Sequence, residues 1–200
     1  MLVFDLGYNR GAFSRKIKNI YVHAKIIGVD ANSNFSTNDV HFINAAITDK
    51  LEEKIDFHIC DDNLDISSIN TDWIEKIRHN HFYENSHRIE KITSITIDYL
   101  IEKYGIPDLI KLDIEGAELM ALNGLSVKAG LILFEFSEEY FFNAIKCVDR
   151  LKQLGYNEFS YTLNDDNFNI NLEYHKWEDL GLQNIMRPNE KEYWGMIYAK

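Results

Sequence analysis

The sequence has little of several features that mark particular classes of protein. Its 200 residues include two cysteines and two prolines, and Cys60 and Cys147 lie far apart without a C-x-x-C pair. This pattern argues against a disulfide framework or a cysteine zinc site and suits a reducing compartment. We find no run of about 18 apolar residues and no charged leader followed by a cleavage site. The sequence therefore predicts a cytoplasmic protein without membrane insertion.

Basic residues are also scarce. Lysine and arginine number 21 against 32 acidic residues, so the formal net charge is −11. Such a chain repels phosphate backbones and anionic membranes, and no nucleic-acid partner is expected. An apolar fraction of 46% favours a packed globular protein. We predict one domain over residues 1–200 and leave its oligomeric state open.

What the chain does contain is an alternation of apolar runs with amphipathic ones. This rhythm predicts an α/β fold, with a mainly parallel sheet and helices on both faces. The pattern places strands at residues 2–6, 25–30, 41–47, 109–113 and 131–136, and a final antiparallel pair at 159–163 and 194–199. An extra strand beside the third is suggested by the alternating apolar residues Ile55, Phe57 and Ile59. Helices are expected at 12–17, 97–104, 115–122 and from 138 or 139 to 154.

Residues 61–91 break this rhythm and separate two halves of the domain, at about 1–60 and 92–200. The interval predicts a lid or substrate loop with a short helix at 73–78 and an aromatic character from Trp73, Phe82 and Tyr83. The interval has three histidines, His79, His81 and His87. Their spacing is not that of metal ligands, so they are better explained as polar surface residues than as a metal site.

Acidic residues follow the predicted strands at one edge of the sheet. Asp5, Asp30 and Asp113 end the first, second and fourth strands, and Glu135 lies near the end of the fifth. Ligands of open α/β sheets bind outside the carboxyl ends of the strands. A single acid there is common at turns, but four at one edge indicate a functional site.

Gly7 and Gly11 bracket the turn between the first strand and its helix. Glycines there let backbone N–H groups approach a ligand, although they are also consistent with a simple tight turn. In the dinucleotide pattern G-x-G-x-x-G/A, the middle glycine falls on Asn9, although Ala12 fits the last position. The turn therefore gives only weak support to a nicotinamide cofactor.

Asp30 follows the glycines by about twenty residues, at the end of the next strand. A carboxylate at this point can accept both hydroxyls of an adenosine ribose, with Ala31 and Asn32 beside the adenine. The alternative is that Asp30 only caps the segment that follows it. The strand, turn and helix before it favour the binding role.

Three stretches now resemble the FkbM-type methyltransferases, which are class I S-adenosylmethionine enzymes with a Rossmann-like fold. The first stretch reads VFDLGYNRG at residues 3–11 and is similar to the family turn D-x-G-A-N-x-G, with Tyr8 in place of the small residue. The second reads NAAI at 44–47. The third, KLDIEGAE at 111–118 with LNG at 122–124, resembles the family motif K-x-D-x-E-G-x-E followed by L-x-G.

The resemblance covers roughly residues 1–136 and implies S-adenosylmethionine as the cofactor. The family more often has Glu-Pro after its second strand, so Asp30-Ala31 keeps the carboxylate and shortens its reach. The implied cofactor-binding residues are Asp5, Gly7, Tyr8, Asn9, Gly11, Asp30, Ala31, Asn32, Ala45 and Ala46.

Asp113 and Glu115 are the candidate catalytic residues. Methyl transfer requires an acceptor held in line with the methyl group, sometimes with removal of a proton. Carboxylates grouped with Glu118 and Glu135 raise one another's pKa and so favour a base, but they also suit a divalent cation. For Glu118, favourable charge in the first turn of a helix is an equally good interpretation.

The predicted function is methyl transfer to a hydroxyl oxygen, with nitrogen second, of a small-molecule or carbohydrate acceptor. Two alternatives stay open from the sequence. One is a nucleotide-dependent oxidoreductase or epimerase on the same type of sheet, and the other is a non-catalytic cofactor-binding module.

Overall fold

The protein is described by a computed structural model at residues 1–32, 40–61, 63–81, 87–163, 168–169, 171–181 and 193–200. Phe82 and Tyr83, and the side chains of His79, His81 and His87, lie outside the described residues. Ten strands follow in chain order: β1 Leu2–Leu6, β2 Lys25–Asp30, β3 His41–Asn44, β4 Ala46–Ile47, β5 Lys54–Cys60, β6 His87–Ile95, β7 Leu109–Leu112, β8 Leu131–Ser137, β9 Phe159–Leu163 and β10 Trp194–Ala199. The helices are α1 Ala12–Ile20, α2 Thr71–His81, α3 Ile97–Tyr104, α4 Glu118–Asn123 and α5 Phe141–Gln153, with 3-10 turns at Leu64–Ile66 and Trp177–Asp179.

Seven strands form the main sheet in the order β3-β2-β1-β7-β8-β10-β9. The five strands from β3 to β8 run parallel, and β10 pairs antiparallel with both β8 and β9. The predicted Rossmann-like sheet with an antiparallel C-terminal strand is thus confirmed. Strand order reverses between β1 and β7, which is where such sheets bind their ligands.

Alternating residues of the strands supply a core on each face of the sheet. On one face, Phe4, Ile27 and Phe134 pack with residues of α3, α4 and α5, such as Leu100 and Val148. On the other, apolar residues of α1 pack on Val3, Ile26 and Leu109. Helices therefore cover both faces, and the carboxyl edge of the sheet stays free for a site. Among the described residues, no helix is both long enough and apolar enough to span a lipid bilayer.

The region after β2 differs from the sequence-based expectation. The third strand, predicted as one element at 41–47, is divided at Ala45 into β3 in the main sheet and β4 in a second sheet. The second sheet has the order β4-β6-β5, so β5 pairs antiparallel with β6 and not beside the third strand. The chain changes sheets at Ala45, and a period-two pattern records strand character but not the strand's partner.

Within the interval 61–91, the short helix predicted at 73–78 is present as the longer α2, whereas the start of the nine-residue strand β6 was not predicted. Residues 88–91 of β6 are all exposed and three of them are charged, so the segment lacks the apolar run that marks a buried strand. Helix α4 also begins at Glu118, three residues later than predicted. Glu115 and Gly116 have φ values of 55° and 85°, which a helix cannot accommodate.

Candidate active site

The turn between β1 and α1 lies against the end of β7. The backbone N–H groups of Gly7 and Tyr8 both donate to the carbonyl of Val29, at 2.9 and 3.0 Å. Gly7 has a φ of 81°, and a Cβ at this position would lie 1.7 Å from the carbonyl oxygen of Asp113. Only glycine allows so close an approach, so the turn reaches the edge of the sheet where the ends of three strands meet.

Asp30 organises the same turn from the end of β2. Its Oδ2 accepts the N–H of Asn9 and its Oδ1 accepts the N–H of Asn32, both at 2.7 Å. Burial raises the pKa of Asp30 to about 6, although these two backbone donors act in the opposite direction. The capping interaction anticipated as an alternative therefore exists. Each carboxylate oxygen keeps a second lone pair for a ligand.

A cleft of about 60 Å³ lies beside this turn. We call it the cofactor cleft. Most of the residues implied for cofactor binding line it, namely Gly7, Asp30, Ala31, Asn32, Ala45 and Ala46, and Asp113 lines it as well. The structure thus brings together residues from β1, β2, β4 and the end of β7.

Four other residues implied for cofactor binding, all in the described part of the chain, do not line the cleft. Asp5 is fully buried behind it, where its Oδ2 accepts the hydroxyl of Ser14 at 2.6 Å. The ring of Tyr8 packs against the backbone of Gly28, where a Cβ would lie 2.6 Å from it. Asn9 and Gly11 shape the turn itself. These four residues support the cleft, and their positions show no direct contact with its interior.

Lys111 is a residue to which the sequence assigned no role. Its ammonium group is buried and donates to the carbonyl of Gly7 at 2.8 Å, 3.1 Å from Asp113 Oδ2 and 3.6 Å from Asp5 Oδ1. Burial alone would lower the pKa of Lys111, but the two carboxylates outweigh it and raise the pKa above its usual range. One buried cation therefore joins the glycine turn to Asp113. A lysine inside a buried strand was the available signal, because lysine is rarely buried unless it is paired.

Asp113, Glu115 and Glu135 form a carboxylate cluster, in which one oxygen from each residue lies within 4.8 Å of the others. Burial raises the pKa of Glu115 well above its usual range, and the charges of Asp113 and Glu118 raise it further. The pKa of Glu135 is raised by burial and then by Asp113 and Glu115. The cluster therefore favours uptake of a proton or of a cation.

Glu118 holds the backbone beneath this cluster. It is buried, and its Oε1 accepts the N–H groups of Ile114 and Gly116, at 3.1 and 3.2 Å. Burial raises its pKa to about 7. Glu118 thus stabilises the turn that carries Glu115 and is the first residue of α4, but its raised pKa shows that its charge is not favoured there.

A second cavity, of about 270 Å³, opens on the other side of the cluster. We call it the acceptor cavity. It is lined by side chains from α2, β8, α5 and the approach to β10, chiefly Trp73, Glu115, Glu135, Glu139, Tyr140, Asn143, Tyr193 and Trp194. Asp113 lines the cofactor cleft, whereas Glu115 and Glu135 line the acceptor cavity. The carboxylate cluster is therefore the junction between the two spaces.

Residues 63–70, which we call the strap, lie within the interval predicted as a lid or substrate loop, although none of them was predicted as a site residue. Leu64, Ser67, Ser68 and Ile69 line the cofactor cleft, and Ile66 lines the acceptor cavity. The local pattern predicted a loop at the site but not which of its residues line the cleft, because the contacts of the strap are with residues about fifty positions away.

A class I S-adenosylmethionine-dependent methyltransferase is defined by four features together. These are the strand order, the glycine turn, the carboxylate at the end of β2 and the acidic junction after β7. Residues 5–178 match the family described as the methyltransferase FkbM domain, and the chain belongs to this family. The resemblance found in the sequence is thus confirmed. No curated protein matches the chain.

Solved structures of methyltransferases are also similar to the chain. A SAM-dependent methyltransferase from Archaeoglobus fulgidus is 12% identical, with a TM-score of 0.47, over 100% of this chain and 86% of its own. The precorrin-6y C5,15-methyltransferase from Geobacter metallireducens is 11% identical, with a TM-score of 0.45, over 100% and 78%. The plantazolicin methyltransferase BpumL, in complex with SAH, is 13% identical, with a TM-score of 0.36, over 100% and 76%.

Proposed function

We propose that the protein transfers a methyl group from S-adenosylmethionine to a hydroxyl oxygen of a small molecule or carbohydrate. The observation that carries this proposal is the junction at Asp113. Asp113 lines the cofactor cleft, and its carboxylate stands within 4.8 Å of those of two residues that line the acceptor cavity. An acceptor hydroxyl at that junction would lie beside both the methyl donor and a base.

The cofactor side of the proposal rests on Asp30 and its neighbours. In this proposal Asp30 accepts the two ribose hydroxyls in charge-assisted hydrogen bonds. Ala31, Ala45 and Ala46 have small side chains, so a flat adenine ring can lie against the ends of β2 and β4. S-adenosylmethionine supplies, when bound, an electrophilic methyl group.

The acceptor side rests on the chemistry of the lining. Carboxylates accept hydroxyl protons, while Trp73 and Tyr140 offer aromatic surface for the apolar face of a sugar ring. Among the described residues, the lining includes no lysine or arginine, which favours a neutral acceptor over an anionic one. In this reaction the carboxylate cluster takes the proton of the hydroxyl as its oxygen gains the methyl group.

A second role for the cluster is to hold a divalent cation, because Asp113, Glu115 and Glu135 offer three oxygens within 4.8 Å of one another. A cation there would lower the pKa of the acceptor hydroxyl instead of removing its proton through a carboxylate. Turnover assayed with EDTA and then with added Mg²⁺ or Mn²⁺ separates the two roles. Full activity in EDTA identifies the carboxylates as the base.

The proposal is tested by thermal melting with S-adenosylhomocysteine and with NAD. A ligand of the native state raises the midpoint by mass action, so only S-adenosylhomocysteine should do so. Asp30→Ala should weaken its binding by about 1.5–3 kcal/mol, because charge-assisted hydrogen bonds are lost. A midpoint raised by NAD alone would sink the proposal. Wild-type affinity for S-adenosylhomocysteine in the variant would mean that Asp30 only caps the backbone and does not bind the cofactor.

The transfer step is tested with a panel of alcohols, monosaccharides and amines, by following S-adenosylhomocysteine release and the mass of the product. A product larger by one methyl group on oxygen supports the proposal. Methylation of amines alone would replace it, and cofactor binding without any product would favour the non-catalytic module.

A further inference from the structure

We propose that the strap is a cofactor-binding element and that Asp65 is its latch, a positioning residue that ties the strap to the cofactor turn. This inference rests on the proposed use of S-adenosylmethionine. It assigns to residues 63–70 a part in holding the cofactor that neither the turn nor Asp30 fulfils.

The strap forms part of the wall of the cofactor cleft. Leu64 and Ile69 contribute apolar surface to the cofactor cleft, opposite the small residues of β2 and β4. Because the strap is one wall of this cleft, a cofactor bound in the cleft would lie against it.

The two ends of the strap are attached with unequal strength. At its C-terminal end, Ser68 donates to the carbonyl of Glu115 and Asn70 donates to the carbonyl of Gly116, each at 2.6 Å and partly buried. The backbone of Ser68 also pairs with that of His58, at 2.9 and 3.0 Å. This end is fixed to the turn that carries the carboxylate cluster and serves as the hinge.

The other end is held by Asp65. Its Oδ1 accepts the side-chain amide of Asn9 at 3.0 Å and lies 3.9 Å from the guanidinium of Arg10. The side chains of Asp65 and Arg10 are 49% and 70% exposed. Exposed contacts of this kind are weak, so this end can open while the hinge stays in place.

The latch acts on residues of the cofactor turn itself. The backbone N–H of Asn9 donates to Asp30 at 2.7 Å, while its side chain donates to Asp65. One asparagine thus joins the carboxylate proposed for the ribose to the wall proposed to cover it. Closure of the strap and order in the turn are thereby coupled, and loss of the latch should speed release of a bound cofactor.

The test measures association and dissociation of S-adenosylhomocysteine on the immobilised full-length protein by surface plasmon resonance. Asp65→Ala should raise the dissociation rate about three- to tenfold, because both contacts are lost. Asp65→Asn should raise it less, since it keeps an acceptor for Asn9 and loses only the ion pair. Asp61→Asn is the matched control, because Asp61 is similarly exposed, pairs with Arg88 and does not line the cleft.

Dissociation rates of both Asp65 variants within about twofold of the wild-type rate would overturn the latch, whatever happens to association, since that is less than the loss of one weak contact. The ligand-free melting midpoint checks folding, and if Asp65→Ala is unstable, Asp65→Asn decides the outcome. Absence of binding by the wild-type protein would overturn the proposed cofactor and this inference with it. Wild-type binding with unchanged release in the variants would overturn this inference alone.

Discussion

The cofactor cleft and the acceptor cavity share one junction but are built in different ways. Half of the residues that line the cleft lie within the first 47 residues, at the ends of β1, β2 and β4, and several of these have small side chains. The acceptor cavity is formed by large and ionisable side chains from α2, β8, α5 and the approach to β10, about 120 residues apart along the chain. Backbone geometry suits a cofactor common to a family, while side chains can vary with each acceptor. The two regions should therefore respond differently to substitution.

The largest effect is expected where the two regions meet. Asp113→Asn preserves the shape of the side chain and removes its charge, so it should reduce the turnover of a methylated acceptor by about 10²–10⁴-fold. Cofactor affinity should stay within a few-fold of the wild-type value. Single-turnover methylation and isothermal titration with S-adenosylmethionine measure the two quantities.

Asp108→Asn is the control for this variant, because Asp108 is an exposed aspartate just before the opposite end of β7. Near-normal turnover in Asp113→Asn would remove its role as base or ligand. A joint loss of turnover and cofactor affinity would show that Asp113 contributes to cofactor binding.

The next largest effect tests whether the cleft depends on backbone approach. Gly7→Ala would place a Cβ 1.7 Å from the carbonyl oxygen of Asp113 at a φ of 81°. The expected loss of unfolding free energy is about 3–5 kcal/mol, from steric displacement added to an unfavourable φ. Urea denaturation measures it.

Gly105→Ala isolates the contribution of φ. Gly105 has a φ of 96°, and no heavy atom lies within 4 Å of its would-be Cβ. We expect a cost of about 1–2 kcal/mol there, from backbone strain alone. Equal costs at the two glycines would show that the turn is not held against β7.

The same contrast explains what the sequence could predict. The sheet, its antiparallel C-terminal strand and six of the cleft-lining residues follow from local signals, because strand ends and glycine turns lie next to one another in the chain. The acceptor cavity does not, because residues that line it, such as Trp73 and Tyr140, lie far apart in the chain. The role of Lys111 was also missed, since its three partners come from two strand ends and a turn.

The smallest effect concerns the titration of Glu118, beside the acceptor cavity. It tests whether the ionised form of this buried carboxylate destabilises the folded protein. Burial raises the pKa of Glu118 from 4.5 to about 7. The folded protein therefore favours the protonated form, whose stabilising contribution is present below pH 4.5 and is lost as the pH rises through 7.

Glu118→Gln cannot ionise, and its amide oxygen can still accept the N–H groups of Ile114 and Gly116. The variant should match the wild type at the acid end of the range and exceed it by about 2–3 kcal/mol above pH 8. Urea denaturation from below pH 4.5 to pH 8.5 measures the difference, with Glu102→Gln on the exposed surface of α3 as a control that should follow the wild-type curve. A constant difference between Glu118→Gln and the wild type across this range would mean that Glu118 is ionised in the native state throughout, and that its two backbone donors outweigh its burial.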